Sequence, residues 1–88
     1  MRHLKNTMDK RDLRLLMIAA FRYSLGRRTY MPKFIVDLII GNHEIFNVKD
    51  WKRFVDEIND REYLGDSYDI QTWNKLINFC EKKIKILK

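Results

Sequence analysis

Apolar and polar positions recur with a helical rhythm along four stretches of the chain. In "MDKRDLRLLMIAAFRYSL", Leu13, Leu16, Met17, Ala20 and Leu25 return every third or fourth residue, and Thr7 or Asp9 is available as an N-cap. Projected at about 100° per residue, this first helix centres its core face on Leu16 and Ala20. The same projection gathers Arg11, Arg14 and Arg22 on another side, with Leu15 and Ile18 between them. An apolar surface that wide predicts a helix covered on two sides or one partly buried in an oligomer, so a homodimer is among the expected assemblies.

Gly26 can adopt the left-handed conformation that ends a helix, and Arg27 and Arg28 then fall where carbonyls lack partners and the macrodipole favours cations. Pro32 suits the first turn of a second helix, because its missing N–H costs nothing there, and Gly41 closes it. Asp37 is the only interior polar residue of "KFIVDLIIG", which predicts a largely buried helix. The short, β-branched run "FIVDLII" also fits a buried strand, although no second strand is evident to pair with it.

In "NVKDWKRFVDEINDRE", Asn47 is the N-cap with Asp50 three residues on, and Val48, Trp51, Val55 and Ile58 share a face. A polar loop surrounds Gly65. Asp69 then caps a last helix with Ile70, Trp73, Ile77, Cys80 and Ile84 inward and a lysine-rich end. Trp51 and Trp73 read as core anchors, whose indole N–H groups need partners if buried. The pattern predicts one compact all-α domain over residues 1–88, built of about four short helices, with residues 1–6 flexible.

Composition supports a globular chain, with 45% hydrophobic and 34% charged residues. Cys80 is the only cysteine, which excludes an internal disulfide framework or a cysteine zinc cluster and fits a reducing compartment. The opening "MRHLKNTMDKRD" lacks a signal peptide's apolar run, and no apolar segment reaches the roughly 18–20 residues that cross a bilayer. A cytoplasmic protein without a membrane partner is expected.

The net charge of +6 is unevenly distributed. Residues 1–33 carry +7, residues 34–69 carry −5 and residues 70–88 carry +4. The basic first helix could lie against the acidic third. Alternatively, the surplus at both ends forms a patch that steers an anionic partner, either nucleic acid or an acidic protein surface.

Enzyme chemistry fails on counts. "HE" at His43 lacks the second histidine of a zinc protease, and His3 lies in the terminus. Cys80 faces inward, where a thiol is inert. The glycines at 26, 41 and 65 are too scattered to cradle a phosphate, and Asp60, Glu62, Asp66 and Asp69 lack the alternation of a calcium loop. The expectation is a non-enzymatic protein with no metal and no cofactor.

The segment "FRYSLGRRTYMP" instead concentrates recognition chemistry. Arg22, Arg27 and Arg28 cluster at the turn, with Tyr30 and Lys33 beside them, a mix suited to gripping carboxylates or phosphates on a partner. A purely structural alternative has Arg27 and Arg28 capping the helix while Tyr23 and Tyr30 plug the edge of the core. The motif resembles one in a group of small, functionally uncharacterised bacteriophage and prophage proteins, which usually have alanine at the place of Ser24. The resemblance covers about residues 13–40, with a weaker echo in "GDSYDIQTWNKLINF". It implies a viral accessory protein in the bacterial cytoplasm that binds a host or phage protein, with inhibition of a defence nuclease, in the manner of an anti-CRISPR protein, as one such role. The alternative is a basic nucleic-acid-binding accessory protein using Arg11, Arg14 and Arg22 with Lys82, Lys83, Lys85 and Lys88.

Overall fold

A computed structural model describes residues 9–25, 32–61, 64 and 66–87. Four helices follow in order: α1 (Lys10–Leu25), α2 (Pro32–Gly41), α3 (Val48–Asn59) and α4 (Ser67–Leu87), with a 3₁₀ turn at His43–Ile45 before α3. The described residues contain no strand, so "FIVDLII" is helical and the domain is all-α. Helix α4 packs against both α2 and α3, and α2 also packs against α1. The trace spans 42 × 34 × 17 Å. Its thinnest dimension admits only two layers of helices at their usual separation of about 8–10 Å.

Side chains within one turn set the helix starts. Asp9 Oδ1 accepts the Asp12 N–H at 2.9 Å, which makes Asp9 the cap of α1. Asn47 and Asp50 cap each other's backbone N–H groups at the start of α3, each at 2.9 Å, as the sequence predicts. At α4 the expected cap shifts. Asp66 Oδ1 accepts the Asp69 N–H at 3.0 Å, so Asp66 is the cap and Asp69 its partner inside the first turn.

The core is aromatic and centred on α3. Trp51 and Phe54 are fully buried, and Ile58 continues their face one turn on. Phe21 of α1 meets the Phe54 ring edge-on at a centroid separation of 4.8 Å, and Trp73 of α4 at 5.8 Å. Phe46 and Phe79 close around Trp51 at 5.2 and 5.6 Å. Such edge-to-face pairs contribute about 0.5–1.5 kcal/mol each beyond area burial. Trp73, Leu76 and Cys80 form the buried row of α4, whereas Ile70 is exposed, contrary to its predicted inward position. The partner expected for a buried indole is missing at Trp51, whose Nε1 has no hydrogen bond, as its neighbours are aromatic rings.

Two expectations are corrected. Helix α2 is not largely buried: Lys33, Phe34 and Asp37 face water, while Pro32, Val36 and Ile39 face in. Helix α1 buries Met17, Ile18, Phe21, Ser24 and Leu25, and leaves Leu16 54% exposed. Its core face is therefore turned by roughly a third of a revolution from the predicted one, at about 100° per residue. The cause is Arg14. Its Nε and Nη2 donate to Asp50 Oδ2 and Oδ1 at 2.7 and 2.9 Å, placing this arginine against α3 rather than in an exposed stripe.

Burial acts to raise the Asp50 pKa, yet the hydrogen bonds from Arg14 and the Asn47 N–H, with the charges of Arg14 and Arg53, hold it below its ordinary value. A carboxyl whose folded pKa lies below its unfolded one contributes stability above the ordinary carboxylate range and loses it as pH falls through the folded value. Replacing Arg14 by Ala is expected to cost about 2 kcal/mol, less than the roughly 3–5 kcal/mol of a fully buried pair, because the Arg14 side chain remains 28% exposed. Arg22→Ala, which breaks an exposed pair, should cost about 0–1 kcal/mol. Urea unfolding measures both, and Asp50→Asn should flatten the acid side of the stability profile. Ser24 is buried with its hydroxyl unpartnered, so Ser24→Ala should stabilise the fold by about 1 kcal/mol.

Candidate functional site

The residues proposed to contact a partner divide by position. Arg27, Arg28 and Tyr30, together with the turn at Gly26, lie outside the described residues, as does Lys88. Arg22, in the last turn of α1, is exposed but folds back on α3, with Nη2 donating to Glu57 Oε2 at 3.1 Å. Lys33, in the first turn of α2, donates to Asp37 Oδ2 at 3.0 Å. Their hydrogen bond, then their mutual charge, raises the Lys33 pKa, and the same bond lowers that of Asp37. Lys75 of α4 approaches the other oxygen of Asp37 at 3.6 Å.

The basic stripe expected on α1 does not form as a unit. Arg14 is committed to Asp50 and Ile18 is buried between the helices, leaving Arg11 exposed and unpaired. The outward side of α1 is instead an apolar ridge. Leu15, Ala19 and Tyr23 are exposed at intervals of four residues, the spacing of neighbours along a helix surface, with Leu16 beside them. Arg11 and Arg22 flank this ridge. The sequence projection missed it because it assigned Leu16 to the core.

The lysines of the last helix also divide. Lys83 Nζ lies 3.1 Å from His43 Nδ1. Lys82 and Lys85 are exposed and pair with no carboxylate. Asp66 and Asp69 are occupied with capping, and among the described residues no group of three or more potential ligands could hold a metal ion. No described helix is long and apolar enough to cross a membrane.

No protein-family model, curated protein or solved structure matches the chain.

Cys80 is fully buried between the helices. Burial first, and then the neighbouring Glu81 charge, push its thiol pKa up to about 12. The thiolate is the reactive species, so the native protein should resist thiol-specific reagents at neutral pH and react only as fast as it opens. Labelling kinetics with and without denaturant measure this; prompt native-state labelling would contradict the packing described.

Proposed function

We propose that the chain is a non-enzymatic binding protein that docks on another protein through the outward ridge of α1. The observation that carries this reading is the exposure of Leu15 and Leu16, 52% and 54%, on a helix whose other face is fully engaged in the core. Leucine at such exposure is unremarkable singly, but here Leu15, Leu16, Ala19 and Tyr23 are contiguous and flanked by Arg11 and Arg22. Apolar side chains with tyrosine and arginine beside them have the composition of an interface core.

The unpaired Arg11 and the exposed edge of Arg22 favour a partner with carboxylates around an apolar patch. Arg27, Arg28 and Tyr30 belong to the same proposed contact by their place in sequence, just beyond α1. The resemblance of this segment to bacteriophage and prophage proteins supports a phage-encoded protein acting in the bacterial cytoplasm on a host or phage protein. Inhibition of a defence nuclease is one such action.

Affinity capture from bacterial host lysate, with the intact chain as bait, tests this reading. A Leu15→Asp/Leu16→Asp variant should retain the captured protein at least about tenfold less well, as hot-spot residues do. Arg11→Ala and Arg27→Ala/Arg28→Ala should each weaken capture, while Lys82→Ala should leave it intact. Circular dichroism checks that each variant is folded. Equal capture by the wild type and the leucine variant overturns the reading.

A further inference from the structure

We infer that the outward face of α4 is a contact surface for duplex DNA, separate from the α1 ridge and independent of it. Helix α4 is the longest element, and it turns Trp73, Leu76 and Cys80 inward. Directly opposite, at helical spacing, stand Gln71, Asn74, Asn78, Lys82 and Lys85, all exposed. None of the five side chains donates or accepts a hydrogen bond or forms an ion pair among the described residues.

The composition of this face is unusual for one that only meets water. A solvated helix surface is ordinarily built from strong helix formers in glutamate–lysine pairs. Asparagine is among the weaker ones, up to about 0.7 kcal/mol less favourable than alanine per residue. Two asparagines and a glutamine nevertheless occupy the outward row, and Glu81 at its rim is the only carboxylate of the helix outside the capping turn.

Side-chain amides and lysines together match nucleic acid better than an acidic protein. Amides present a donor and an acceptor in one plane, the pairing that reads adenine in the major groove, whereas a carboxylate surface needs donors alone. Lysines supply the phosphate contacts. The order along the helix also fits: the amides occupy the N-terminal and central part, where recognition helices meet base edges, and Lys82 and Lys85 follow. From Gln71 to Lys85 the row extends about 21 Å at the usual rise per residue, the length of roughly six base pairs.

Beside the row runs a groove of about 490 Å³, lined by Gln71, Asn74, Asn78 and Lys82 of the row together with Lys75, Phe79 and Ile40 of α2. A second depression of about 550 Å³, lined by Asn78, Glu81, Lys82 and Lys85, adjoins it. Together they offer room for a sugar–phosphate strand alongside unpaired ammonium groups. A duplex is favoured over a single strand because the row carries no aromatic side chain on which bases could stack, and Phe79 is engaged edge-on by Trp51 and His43.

Fluorescence anisotropy with a labelled duplex of mixed sequence, about two helical turns long, tests the inference on the intact chain. Binding is expected at low salt, and log affinity should fall with log salt by roughly 0.9 for each phosphate contacted. Lys82→Ala/Lys85→Ala should reduce that slope by about two contacts, and Glu81→Gln should tighten binding. Selection from randomised duplexes should yield a preferred sequence, and Asn74→Ala/Asn78→Ala should erase the preference while leaving salt-dependent binding. Leu15→Asp/Leu16→Asp should change none of these readouts. The inference is overturned by absence of duplex binding at low salt, by equal or tighter binding of the matching single strand or of polyglutamate, or by an unchanged slope in the double lysine variant. These substitutions are all at exposed positions, and circular dichroism identifies any that unfold.

Discussion

One buried carboxylate determines how the molecule is put together. The Asp50 side chain is only 3% exposed, and a charge so placed is tolerable only when its oxygens are saturated by hydrogen bonds. Asp50 Oδ2 takes the Asn47 N–H and Arg14 Nε, and Oδ1 takes Arg14 Nη2. The first bond starts α3; the other two lock α1 against it. Phe21 enters the aromatic core in the same orientation, so the pairing and the packing agree on which way α1 turns.

The exposed leucines follow from that choice. An arginine directed at α3 commits the adjacent arc of α1 to the core, and among the described residues no further element covers the opposite arc. The α1 ridge is thus a consequence of satisfying Asp50 as well as a feature of composition. It is also why a helix with apolar residues around most of its circumference is neither central in the fold nor enclosed.

Legibility in the sequence tracks the range of the interactions. The caps at Asp9 and Asn47, the start at Pro32 and the inward position of Trp51, Ile58, Trp73 and Cys80 are marked by spacing and chemistry within a single helix, and periodicity and cap chemistry find them. The rotation of α1 depends on a bond spanning 36 positions, and no local pattern contains it. With Leu15, Leu16, Ile18 and Phe21 distributed widely around α1, periodicity alone cannot choose its inward side. Phe54 and Leu76 were legible in principle, since each continues the spacing of a neighbouring tryptophan. Of the proposed contact residues, Arg22 and Lys33 read as surface groups from the sequence; Glu57, the partner of Arg22, lies 35 positions away and leaves no local pattern, whereas Lys33 and Asp37 stand four apart on one helix, a spacing that permits the pair.

The same distinction clarifies the division of charge along the chain. Arg14–Asp50 and Arg22–Glu57 both tie the basic first third to the acidic middle, so part of that opposition is consumed inside the fold. The basic last segment is spent differently. Lys75 shares Asp37 with Lys33, Lys83 meets an imidazole rather than a carboxylate, and Lys82 and Lys85 retain unmatched charge at the surface. Unpaired cations thus remain on both helices, but on α4 Lys82 and Lys85 stand in a row of polar side chains, whereas on α1 Arg11 borders an apolar ridge. The two outward faces differ in physical character for that reason: contact at the α1 ridge would draw mainly on apolar burial and persist in salt, whereas contact along α4 would draw on counterion release and fade with it.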